Sequence, residues 1–100
     1  MPFEWMTIEE LEEKLPAIEA AGVSEVARGP DGFVTAYRRL RTPTRMAVEP
    51  VPGHATQTWS QRRENFIART LPAYLANPTH RRGLSLVAWA YAPPFRVLHN

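Results

Sequence analysis

The segment Leu84-Ser85-Leu86-Val87-Ala88-Trp89-Ala90-Tyr91-Ala92 constrains this chain more than any other. Wound as a helix, it sets Leu84, Val87, Ala88 and Tyr91 on one face and Leu86, Trp89 and Ala90 on the other. A helix that is apolar all round belongs at the centre of a core or at an interface. An apolar run this short is also compatible with a strand. Each large apolar side chain left in water forgoes roughly 1.5–3 kcal/mol. One hundred residues is room for one domain with a modest core. Two placements follow. The segment is a central helix between a sheet and the other helices, or it offers Leu86, Trp89 and Tyr91, with Trp5, to a partner. The chain has no cysteine, so neither a disulfide nor a Cys-containing zinc site can brace it. It must rely on its core, on a partner, or on both.

The rest of the chain supplies the elements that would surround this segment. Thr7-Ile8-Glu9-Glu10 is a capping box, and it opens a helix with Ile8, Leu11, Leu15 and Ile18 at three- and four-residue steps. Gly22 is its stop, and Pro16 should kink or split it. Val23 to Arg28 and Phe33 to Leu40 read as two strands joined by the turn Gly29-Pro30-Asp31-Gly32. Arg45 to Val51 reads as an optional third strand, which Pro50 confines to an edge. Pro52 to Thr58 reads as loop. Trp59, Phe66, Ile67, Thr70, Leu71 and Tyr74 form one face of a helix over 59–76, interrupted by Pro72. Thr79 is the N-cap of a last helix reaching from about His80 to Tyr91. Pro93-Pro94 ends it, and a tail follows. The expected fold is α+β: a small antiparallel sheet of two or three strands, with an N-terminal helix and two C-terminal helices packed on it, in a single domain over 1–100.

Charge is segregated. Residues 1–31 hold eight acids and two bases, a net charge of −6; residues 32–100 hold ten Arg and two acids, a net charge of +8. Such poles point to an acidic or nucleic-acid partner, to self-association, or to an acidic helix folded back on the basic part. Arg38, Arg39, Arg41 and Arg45 cluster around the second expected strand. Arg62 and Arg69 mark one side of the 59–76 helix. Arg81 and Arg82 come where the last helix begins, a place that disfavours cations unless an anion joins them. These eight are the candidate anion- or nucleic-acid-binding residues. Arg63 falls inside the apolar arc of its helix, so it must snorkel, pair with Glu4, Glu12 or Glu64, or meet a partner.

Catalytic and metal chemistry find no constellation in the sequence. His54, His80 and His99 lack the spacing of a metal site, and Ser24, Ser60 and Ser85 lack a nucleophile-elbow context. No cofactor and no metal is expected. No apolar run approaches the roughly 20 residues of a membrane span. Met1 to Trp5 lacks the basic start of an export signal. The expectation is therefore a cytoplasmic, non-enzymatic protein–protein interaction or assembly module, with a homo-oligomer as one form. The Arg-for-Lys bias fits a bacterial, plasmid or phage gene. The alternative is a nucleic-acid-binding accessory or regulatory protein using its Arg-rich surface.

Overall fold

A computed structural model describes residues 3–93; Pro94, the tail, Arg96 and His99 lie outside the described residues. The fold is α+β, with helices predominating over a two-stranded antiparallel sheet. Helix α1 (Ile8–Ala21) starts at the expected capping box. The Thr7 amide donates to Glu10 Oε1 at 2.9 Å, and the Glu10 amide donates to Thr7 Oγ1 at 3.1 Å. Ile8, Leu11, Leu15 and Ile18 are its buried stripe, and Gly22, at φ +68°, ends it. Pro16 does not split the helix. It lies on the exposed side of the helix.

Residues 23–40 depart from the expected hairpin. They form two helices, α2 (Glu25–Arg28) and α3 (Phe33–Leu40). The turn between them is real, with the Gly32 amide donating to the Gly29 carbonyl at 3.1 Å. It folds α3 back against the backbone of α2. A Cβ on Gly32 would stand 2.2 Å from the Val26 carbonyl oxygen, so only glycine fits. In α3 the buried residues are Phe33, Val34, Ala36 and Tyr37, whereas Thr35, Arg38 and Arg39 are exposed. A strand would have set Thr35 and Arg39 on the face of Phe33 and Tyr37. Burying that pair of rings without burying Thr35 requires the helical period.

The third-strand expectation is met only at its end. Helix α4 (Pro43–Met46), capped by Thr42 with Pro43 in first position, takes up Arg45. Strand β1 (Pro50–Val51) then pairs with β2 (His54–Thr58) across a turn with Gly53 at φ +79°. One strand of the sheet therefore lies at the end of the expected third strand and the other where loop was expected, with none at residues 23–40. Thr58 opens α5 (Trp59–Ala76) with a second capping box to Gln61. Pro72 lies on its exposed side and leaves it unbroken.

Helix α6 (His80–Val87) starts at the Thr79 cap and stops short of the expected Tyr91. The Tyr91 amide donates to the Leu86 carbonyl and the Ala90 amide to that of Val87, with Ala90 at φ +61°. This is a Schellman closure with alanine where glycine is usual. The segment is central, as one of its two placements required, but its neighbours are helices. Leu84, Val87, Ala88 and Ala90 enter a core built by α1, α3, Met46, Val51 and Trp59, while Leu86 joins Ile67 and Tyr74 of α5. No helix among the described residues is long and apolar enough to cross a membrane.

Candidate partner-binding cleft

The four residues expected at a partner interface separate in the structure. Leu86 is fully buried, so it holds α6 to α5 and is not offered to a partner. Tyr91 is half-buried with its ring edge-on to Phe3. Trp5 closes the N-terminal strap over the core, stacking on Phe33 at 5.8 Å and lying edge-on to Tyr37. Trp5 and Tyr91 line a hollow with Glu4 and Glu10, and Trp89 lines a separate, larger cavity. The Trp89 indole stacks on both Phe33 and Phe66, each at 4.7 Å between centroids.

That cavity is a cleft of about 620 Å³ between the α1–α2 connection, the start of α3, α5 and α6. Phe33 and Trp59, both buried, form its floor, and Phe66 and Trp89 its aromatic wall. Arg62 enters from α5, and Arg81 and Arg82 from the first turn of α6. Glu25 and Asp31 line it too, with the 87% exposed Val26. Ser24 also lines the cleft, at φ +57°, a strained conformation for a side-chain-bearing residue.

The arginines sort into two groups by what already neutralises them. Arg38 reaches Glu12 at 3.4 Å, Arg39 reaches Glu49 at 3.2 Å and Arg41 reaches Glu9 at 3.3 Å. Two of these pairs tie α1 to α3 and its C-cap, so the acidic first helix does fold back on part of the basic segment. All three are on the surface, where such a pair contributes at most about 1 kcal/mol. Arg62, Arg81 and Arg82 have no carboxylate within 4.0 Å among the described residues. Each is instead held by one neutral acceptor: Arg62 Nε donates to Gln57 Oε1 at 2.9 Å, Arg81 Nη1 to the Ala21 carbonyl, and Arg82 Nη1 to the Asn77 carbonyl at 2.9 Å. Arg69 lines a smaller hollow beside the cleft, with Arg62, Phe66 and Trp89 between them. Arg45 is exposed on α4, away from the cleft.

Arg63 neither snorkels nor joins the cleft. It is fully buried, and it donates to the carbonyls of Phe3 (3.0 Å), Glu4 (2.7 Å), Trp89 (2.8 Å) and Ala90 (3.0 Å). Its guanidinium lies 4.1 Å from the Trp5 ring centroid, and Glu64 approaches to 3.9 Å. Desolvation lowers its pKa to about 10, against the opposing field of the Glu64 carboxylate. It stays charged at neutral pH. The sequence marks Arg63 as out of place on its helix. Its partners are backbone carbonyls about 60 and about 26 residues away, which no spacing rule could name.

His54 is exposed on β2 and His80 opens α6; neither lines the cleft. Among the described residues no group of three His, Asp or Glu could hold a metal ion. Comparison with known protein families, with curated proteins and with solved structures finds no match to this chain.

Proposed function

We propose that this chain is a non-enzymatic protein–protein interaction module that seats a partner in the α5–α6 cleft. The observation that carries the reading is the company kept by Arg62, Arg81 and Arg82. Three guanidiniums with no carboxylate within 4.0 Å among the described residues line a recess walled by Trp89 and Phe66. Trp and Arg in a concave, partly desolvated setting are the residues that dominate binding energy at protein interfaces. Leu84, Leu86, Val87, Ala88 and Ala90 are buried within one copy, which leaves Trp89 as the large apolar residue of that segment at the cleft. The proposed setting is the cytoplasm of a bacterium or its phage, on the cysteine-free, Arg-rich composition.

A photo-crosslinking residue at Val26, on the rim, tests the location, with the same residue at Val48 as reference. Val48 is also exposed but does not line the cleft. The expected result, in cells that carry the gene, is a discrete adduct from position 26 and none from 48. An adduct at twice the mass of the chain makes the partner a second copy, and the chain an assembly module. Equal labelling from both positions, or none from 26, contradicts the proposal.

A further inference from the structure

We infer that the segment seated in the cleft is an acidic peptide stretch carrying one apolar anchor. The inference rests on the docking reading above and names the chemistry of what docks.

Charge gives the first reason. Arg38, Arg39, Arg41 and Arg63 each have a carboxylate within 4.0 Å; among the described residues the three arginines of the cleft do not, nor do the scattered Arg28, Arg45 and Arg69. Their backbone and amide acceptors fix where the guanidiniums sit but leave the charge uncompensated. Two or more carboxylates on the incoming segment supply that compensation, with charge-assisted hydrogen bonds to donors already positioned. The Asn77 and Ala21 carbonyls thereby act as supports for Arg82 and Arg81, lowering the ordering cost of the contact.

The aromatic wall gives the second. Trp89 already stacks on Phe33 and on Phe66, and Phe33 and Trp59 are buried. The π-surface of Trp89 and Phe33 that a nucleobase would need is thus engaged inside the chain. What remains is a lined recess, suited to a leucine- or phenylalanine-sized side chain. Its volume of about 620 Å³ lies within the usual range of specific ligand pockets.

The rim gives the third. Glu25 and Asp31 line the same recess as the arginines. A nucleic-acid strand would carry phosphates past both carboxylates. A peptide can present carboxylates to α6 and neutral or basic groups to α2.

The test is a titration of the ¹⁵N-labelled chain followed through the amide signals of Gly32 and Ser85, which lie on opposite walls of the cleft. Four probes are used: a blocked octapeptide of Asp and Glu with one central Leu; the same peptide with Leu replaced by Ser; the same peptide with Lys in place of Asp and Glu; and an oligo-dT of equal length. The first peptide is expected to shift both amides saturably, and salt to weaken it. The Ser version should bind roughly tenfold more weakly, and the Lys version should leave both signals in place. The charge reversal Arg82→Glu should weaken the acidic peptide roughly tenfold or more, and Arg39→Glu should leave it unchanged. Because Arg82 also supports the Asn77 loop, Arg62→Gln serves as a second variant if Arg82→Glu loses native dispersion.

Equal binding of the acidic and basic peptides overturns the acidic inference. Tighter binding of oligo-dT at the same amides overturns it in favour of nucleic acid. If the Val26 adduct forms but the captured segment is basic or uncharged, the docking reading stands and this inference falls. If no adduct forms, both fall.

Discussion

Arg63 is the residue on which the two ends of the described chain converge. Four carbonyls, two from the N-terminal strap and two from the turn after α6, accept from one guanidinium. The Met6 amide adds a bond to the Ala90 carbonyl, and the Tyr37 hydroxyl donates to the Met6 carbonyl at 2.7 Å. Replacing Arg63 with Met would remove the donor to the Phe3, Glu4 and Trp89 carbonyls, while the Ala90 carbonyl would keep only the Met6 amide. The expected loss is about 3–5 kcal/mol, a large part of the 5–15 kcal/mol typical of a domain. Arg63→Lys cannot reproduce the fork and should lose about 2 kcal/mol or more. Urea unfolding measures both; a Met variant as stable as the parent would remove the staple role. Tyr37 makes a pH prediction. Burial raises its pKa above 10.0, against the lowering effect of the Arg63 charge. The folded state therefore favours the neutral phenol. Its stabilisation is complete below pH 10 and declines as pH rises through and beyond the ordinary tyrosine value. Between pH 9 and about 11.5 the parent should lose stability more steeply than Tyr37→Phe; parallel curves would show that Tyr37 does not titrate against folding.

At the scale of elements, Gly32 decides how α2 and α3 meet. Gly32→Ala places a methyl at 2.2 Å from one α2 carbonyl oxygen and 2.3 Å from another, contacts that only backbone movement can relieve. A loss of about 2 kcal/mol or more in the same unfolding assay is expected, with the helical signal of the folded state reduced; a neutral substitution would mean that the two helices do not approach as described. The same region shows where sequence reading fails. Helices α1 and α5 are legible because long apolar stripes agree with caps and stops. Over Phe33 to Leu40 the window is eight residues, and Phe33, Thr35 and Tyr37 alternate well enough to imitate a strand. The buried Val34 and Ala36, which break the alternation, are too small to outweigh two rings. Strand β2, His54-Ala55-Thr56-Gln57-Thr58, carries no large apolar residue and is mostly exposed, so no period reveals it. At the cleft, the sequence singles out Arg81, Arg82, Arg62 and Trp89 separately. Their meeting depends on the α5–α6 packing and on where α2 turns, which are tertiary facts.

Across the whole molecule, the excess of apolar surface and the charge poles resolve differently. The apolar segment at the end of α6 is satisfied within the chain, packed on α1 and α5. The charge is satisfied only in part. Surface pairs compensate Arg38, Arg39 and Arg41, and three cations and two acids line the cleft. Their contribution to stability is small, so their importance lies in what they attract. The most direct test is calorimetric affinity for the partner captured at Val26, compared among the parent, Arg82→Glu and Arg39→Glu. A cleft that holds the partner through its unpaired guanidiniums should lose roughly tenfold or more in affinity with Arg82→Glu and change little with Arg39→Glu. Equal losses in the two variants, or a loss only with Arg39→Glu, would place the interface elsewhere.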